Sequence, residues 1–186
     1  MDTSWSKSLA WVRKSEGGND DDPDDAGGRT SRGITQREWN AYCDIAGLKR
    51  SDVWLAPDPA IDDIYHRSYW LPYCSVLPPG VDYIFFDENV NAGLHEAALI
   101  LQRALIKLGL DLGPTGADGH IGILTSAALS KADPIKLVNG MSDERVAIYK
   151  EIEAEHSNDR KFDKGWMARV EFARTNALTL VPQTGS

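Results

Sequence analysis

Apolar positions recur at helical spacing along most of the chain. Trp5, Leu9 and Val12 share one face of a predicted helix over 4–15, with Lys7, Arg13 and Lys14 mostly off that face. Glu16-Gly17-Gly18 stops it, since a glycine takes the left-handed conformation that ends a helix. A polar stretch over 19–34 follows, long for a simple connection and carrying five aspartates. Thr35-Gln36-Arg37-Glu38 is a capping box, opening a second helix with Trp39, Tyr42, Cys43 and Ala46 and closing at Gly47. Asp58-Pro59 reads as an N-cap with proline at N1 of a third helix bearing Ile61, Ile64, Tyr65 and Tyr69, broken at Pro72.

Beyond Pro78-Pro79-Gly80, a helix is predicted over 81–92 despite its aromatic and β-branched content. Gly93 separates it from an apolar run in which Ala97, Leu101, Leu105 and Leu108 are in phase. A turn-rich segment over 109–122 leads to a short helix over 123–130. Asp133-Pro134 repeats the cap-then-proline signature, Ser142 is read as capping a helix with Val146, Tyr149 and Ile152, and a last helix carries Trp166, Val170, Ala173 and Ala177. Residues 182–186 read as a loose tail. Long alternating runs are missing, so the fold class expected is mainly α.

Composition narrows the class. With 186 residues, 42% hydrophobic and 26% charged, the chain can build a core without a metal or a disulfide framework. The net charge of −8 excludes a partner such as nucleic acid, whose phosphates need a basic face. No apolar window is long enough for stable membrane insertion, and no basic-then-apolar export signal opens the chain. Cys43 and Cys74 have no zinc-ligand spacing and are either two buried thiols or one disulfide. Asp20, Asp22 and Asp24 alternate as in a calcium loop, but Asp25 and Ser31 stand where its glycine and terminal glutamate belong. His95-Glu96 begins like a zinc-protease helix, but Leu99 replaces the second histidine. No metal and no cofactor is expected.

The chemistry concentrates between Glu16 and Thr35. Glu16 sits at the C-terminal pole of a helix, where a negative charge is disfavoured and a carboxyl suits proton donation. Asp25 lies in a glycine-jointed loop whose N–H groups and water can stabilise an anion, and Thr30 offers a hydroxyl to orient water. Two carboxyls in unlike environments are what glycosidic bond hydrolysis requires. Residue chemistry alone leaves the bland alternative of a helix end followed by a solvated acidic loop.

The ordered set Glu16-Gly17-Gly18, Asp25, Gly27-Gly28, Thr30 and Gly33-Ile34-Thr35 closely resembles the signature of glycoside hydrolase family 108, the N-acetylmuramidases of phage endolysins and related bacterial proteins. The resemblance implies a lysozyme-like helical fold, with the C-terminal helical half packed on the catalytic half. It implies cleavage of the β-1,4 bond between N-acetylmuramic acid and N-acetylglucosamine, with Glu16 as catalytic acid and Asp25 and Thr30 in the second role. Downstream, Leu101-Gln102-Arg103-Ala104-Leu105, Asp118-Gly119-His120-Ile121-Gly122, Thr125 and Phe162-Asp163-Lys164-Gly165-Trp166 resemble the peptidoglycan-binding region that follows. The division expected is therefore 1–92 catalytic, 93–180 peptidoglycan-binding and 181–186 tail.

Candidate sugar contacts are Asn19, which stands where the family has an aromatic, and Asn91 and Trp39. At helical spacing Trp39, Tyr42, Tyr69, Trp70 and Trp166 can equally be core. The partner expected is the peptidoglycan glycan strand. The setting is an endolysin made in the cytoplasm and acting on the wall after holin-type release, or alternatively a secreted antibacterial effector with an immunity protein as partner. A lytic transglycosylase and a non-catalytic wall-binding module are the competing functions.

Overall fold

The computed structural model describes residues 3–16, 18–20, 29–155 and 160–182; for residues 3, 19, 20, 155 and 160–163 it describes the backbone. Gly17, residues 21–28 with Asp25 among them, and most of the expected tail lie outside the described residues. The chain forms two compact units, one spanning Trp5–Tyr73 and the other running from Cys74 onward. The described residues are mainly helical, as the apolar spacing predicts.

The N-terminal unit is made of short pieces. Helix α1 (Thr3–Ser15) leads into a miniature antiparallel sheet, β1 (Asn19–Asp20), β2 (Thr30–Ser31) and β3 (Ile34–Thr35), in the order β1-β2-β3. Asn19 pairs with Ser31 and Asp20 with Thr30, while Thr30 pairs with Thr35 and Ser31 with Ile34. Arg32 (φ 51°) and Gly33 (φ 80°) join β2 to β3, and two successive positive φ angles are what a tight two-residue hairpin demands. These strands are too short for a period-two pattern to announce them.

Helix α2 (Gln36–Ala46) starts at the predicted capping box: Thr35 Oγ1 accepts from the Glu38 N–H, and the Glu38 carboxylate accepts from the Thr35 N–H. Gly47, at φ 67°, ends it. Helix α3 (Asp58–Ile64) starts one residue earlier than expected, with Pro57 as N-cap and Pro59 inside the first turn. A π-helical segment, Tyr65–Trp70, continues it and swings Tyr65 and Trp70 into the core. Arg13 bonds Asp58 and Asp62, both at 2.8 Å, tying α1 to α3.

The C-terminal unit uses longer helices. Helix α4 (Val81–Ala92) is buried from Val81 through Asn89, so its apolar residues face neighbours on every side and the usual one-faced stripe is lost. Around it pack α5 (Leu94–Lys107), α7 (Pro134–Glu155) and α8 (Arg160–Leu180), with the short α6 (Ile123–Leu129) against α5. The core is drawn from Ile84, Phe85, Phe86, Leu101, Leu105, Val138, Met141 and Ala173. Asp133 caps α7 by accepting from the Lys136 N–H. Ser142 caps nothing: it lies inside α7, buried, with its hydroxyl donated to the Val138 carbonyl one turn back. A serine satisfied on its own helix in this way can sit mid-helix, and apolar Leu137, Val138 and Met141 carry α7 across it.

Three charged side chains, Asp87, Glu88 and Arg145, are buried together in this unit, with the half-buried Arg169 beside them. Arg145, 1% exposed, reaches Asp87 at 2.8 Å and Glu88 at 2.5 Å, and Arg169 reaches Asp87 at 3.1 Å. Cys43 and Cys74 are both buried free thiols, which resolves the alternative of a disulfide. Among the described residues no helix is long and apolar enough to cross a membrane.

Candidate active site

Glu16 directly follows the last turn of α1, its N–H donating to the Val12 carbonyl at 3.0 Å. The side chain is half-buried against the tip of the β2–β3 hairpin. A Cβ placed on Gly33 would lie 3.0 Å from Glu16 Oε2, 3.1 Å from its Cγ and 2.3 Å from the Tyr65 hydroxyl oxygen. Gly33 therefore does two jobs: it takes the positive φ of the turn, and it leaves room for a carboxyl and a phenol to approach the same stretch of backbone.

The hairpin tip is held firmly. The Tyr65 hydroxyl donates to the Arg32 carbonyl at 2.8 Å, and Arg32 itself bonds Asp58, the Ala56 carbonyl and Ser31 Oγ. The Arg32 N–H donates to the Gly18 carbonyl at 3.0 Å, linking the tip to the chain two residues beyond Glu16. Tyr69 packs on Tyr65 with ring centroids 5.6 Å apart, and its hydroxyl donates to Glu38 Oε1. Burial first, and then the nearby Glu38 and Glu16 carboxylates, push the Tyr69 hydroxyl well above its ordinary range and keep it a hydrogen-bond donor. Glu38 is committed elsewhere, since its other oxygen accepts from the Thr35 N–H and hydroxyl.

Thr30 lies on β2, opposite Asp20 and Thr35, and its carbonyl accepts the Trp54 indole N–H at 3.0 Å. Trp54 is partly exposed, and the Arg29 guanidinium, paired with Asp52, stands 4.3 Å from its ring centroid. Asn19 is on β1 opposite Ser31, which brings its backbone into the same small sheet as Thr30. Asp25 lies outside the described residues, in the chain between β1 and β2.

Two of the expected sugar contacts sit differently. Trp39 is 3% exposed, its N–H donating to Ser51 Oγ and its ring stacked on Tyr42, which leaves no ring face for a sugar. Asn91 is exposed in the C-terminal unit and donates to the Tyr149 hydroxyl at 3.0 Å. Sequence reasoning passed over Tyr65, Gly33's contact role and Trp54. An exposed indole beside a loop was a usable signal for Trp54, whereas the meeting of Glu16 with Tyr65 is purely tertiary. Arg29 and Arg32 find their carboxylates downstream, on Asp52 and Asp58.

In the C-terminal unit, Gln102 organises the segment that resembles a wall-binding region. Its amide N–H groups reach Asp118 Oδ1, the His120 carbonyl and Thr125 Oγ1, and its oxygen accepts from the Asp118 and Gly119 N–H groups. Among the described residues no group of three His, Cys, Asp or Glu is placed to hold a metal ion.

Residues 9–93 match the model of the family described as glycosyl hydrolase 108, and residues 96–171 match one described as a predicted peptidoglycan domain. The solved structure of SagA from Brucella abortus is similar to the chain at 31% identity and a TM-score of 0.76, covering 99% of both chains. No curated protein matches.

Proposed function

We propose, because the chain belongs to the glycosyl hydrolase 108 family and is a glycoside hydrolase acting on peptidoglycan, that the bond it cleaves is the β-1,4 link from N-acetylmuramic acid to N-acetylglucosamine. Glu16 is the general acid that protonates the departing glycosidic oxygen. Asp25 supplies the second carboxylate, to activate water or to stabilise the oxocarbenium-like centre, and the Thr30 hydroxyl assists in orienting that water. The observation that carries this reading is the Glu16 carboxyl held half-buried over the Gly33 backbone, beside the Tyr65 hydroxyl. A carboxyl with restricted solvation and a fixed approach direction is suited to proton transfer to a bound oxygen. Trp54, partly exposed and with its N–H on the Thr30 carbonyl, stands next to the same strand as an aromatic on which a pyranose can pack.

The decisive experiment is mass spectrometry of the fragments released from purified peptidoglycan by wild type, Glu16→Gln and Asp25→Asn. Wild type is expected to leave reducing N-acetylmuramic ends, and Glu16→Gln to lose about 10²-fold or more of the rate, the usual scale for a general acid. Reducing N-acetylglucosamine ends would move the cut to the other glycosidic bond. Anhydro-muramic ends would identify a transglycosylase, which needs no water and hence no role for Asp25.

A further inference from the structure

One cavity among the described residues lies apart from Glu16. It is a groove of about 260 Å³ in the N-terminal unit, between the outer face of α2 and the α3–π segment. Ala41, Ile45, Ala46 and Ile64 give it an apolar wall, and Ile45 is 83% exposed. Glu38, Tyr42, Asp63, Arg67 and Ser68 complete the lining. Glu38 connects the groove to the active site, because it accepts the Tyr69 hydroxyl and Tyr69 in turn senses the charge of Glu16.

The polar groups of the groove are not equally free. Asp63 is spent, with Oδ1 accepting Arg67 Nε at 2.8 Å and Oδ2 accepting the Tyr42 hydroxyl at 3.0 Å. Those donors hold its carboxyl below the ordinary range, Arg67 first, so it stays an anion that anchors the guanidinium. Arg67 uses only Nε in that pairing, and its two Nη groups remain as a fork fixed beside an apolar wall. A planar fork oriented through its Nε is preorganised for a carboxylate.

We infer that this groove binds the peptide stem that hangs from the glycan, with Arg67 taking a stem carboxylate and Ile45, Ala41 and Ala46 packing on its short aliphatic side chains. The inference rests on the peptidoglycan reading above. Stem peptides combine methyl side chains with free carboxylates, the two chemistries the groove offers, whereas a bare sugar would find few unspent polar partners there. An enzyme so equipped distinguishes stem-bearing wall from stripped glycan through binding, at a site separate from the bond it cuts.

Initial rates of the full chain on intact peptidoglycan and on the same polymer stripped of stems by an amidase test this. Wild type should show a lower KM on the intact polymer. Arg67→Ala and Ile45→Asp, both at exposed positions, should raise that KM about tenfold, with kcat and the rate on stripped polymer unchanged, and Arg67→Lys should recover only part of the loss. Equal slowing on both polymers, or no change on either, overturns the assignment. Should wild type cut neither polymer, the hydrolase reading fails by itself. Calorimetric titration of free stem tetrapeptide into wild type and Arg67→Ala then decides the groove, since heat from wild type alone supports it and heat from neither or from both refutes it.

Discussion

The two units of this chain solve the problem of placing charge in opposite ways. In the N-terminal unit Arg13, Arg32, Arg50 and Arg67 each meet an aspartate in partial contact with water, and the pairs of Arg13 and Arg32 with Asp58 join α1 and the hairpin to α3. In the C-terminal unit Arg145 and its two carboxylates are 1–4% exposed, inside a bundle of long helices. A unit made of a miniature sheet, a hairpin tip and a π turn has little apolar surface with which to hold Glu16, and it uses polar stitches instead. A unit built as a bundle of long helices can hold a buried charge cluster, because its carboxylates and guanidiniums arrive on helices that packing has already fixed.

The largest expected effect tests that contrast directly. Arg145→Ala leaves Asp87 and Glu88 as buried anions with only Arg169 nearby, and removing one partner of a buried pair costs about 3–5 kcal/mol. Arg13→Ala breaks two ion pairs whose aspartates are well hydrated, and should cost no more than about 1 kcal/mol. Urea denaturation of both variants measures the difference. If the two losses were equal, burial would not be what distinguishes the units.

A pair of glycines sharpens the comparison at intermediate size. Gly80 (φ 90°) begins α4, and a Cβ there would sit 2.7 Å from the Ala177 carbonyl oxygen and from Val181 Cγ2. Gly80→Ala should therefore lower stability by about 2 kcal/mol or more, since a left-handed alanine costs about 1–2 kcal/mol before any overlap. The rate per folded molecule should not change. Gly33→Ala meets the Tyr65 hydroxyl and the Glu16 carboxyl, and displacing an acid by about 1 Å can cost about 10²-fold in rate. Thermal melts and peptidoglycan turnover on both variants separate the cases. A Gly33→Ala protein that keeps its rate would detach the hairpin tip from the chemistry.

The same contrast explains what could be read from residues alone. Thr35 with Glu38, Gly47, Asp133 and the apolar run through α5 act within one or two turns of chain, so their signals survive in sequence. Ser142 misleads because its local preference for a cap is outvoted by its neighbours: Leu137, Val138 and Met141 before it and Arg145 and Tyr149 after it bury α7 on both sides. Trp39 was correctly placed on a helical face, but the face is the core, while Trp54, in a short turn of Val53–Leu55 with no periodicity to judge, carries the exposed indole. Glu16 announced itself through the glycines after it. Its company of Gly33, Tyr65 and Tyr69 comes from chain segments far apart, and only folding brings them together.

Acid should separate the units by the smallest margin, and in a definite direction. In the N-terminal unit Asp44, Asp58 and Asp63 are held below the ordinary carboxylate range, chiefly by hydrogen bonds from Arg50, from Arg13 with Arg32, and from Arg67. A folded carboxylate that binds its proton less readily than the unfolded one stabilises the fold above about pH 4, and that contribution is lost as pH falls through its folded value. Glu88 has the reverse sign: burial raises it, with Arg145 opposing, so the folded form holds the proton better and the fold gains from Glu88 as pH falls. Asp118 is lowered by Gln102 and should make the 102–125 segment follow the N-terminal unit rather than α4. Hydrogen exchange by mass spectrometry between about pH 6 and pH 3, corrected for intrinsic rates, should then show protection lost a few-fold earlier in Trp5–Tyr73 than in α4 and α7. Parallel loss in both units, or earlier loss in α4, would mean that the surface stitches contribute nothing measurable. The hairpin that positions Glu16 would then owe its rigidity to Tyr65 and Trp70 in the core, not to the arginines around it.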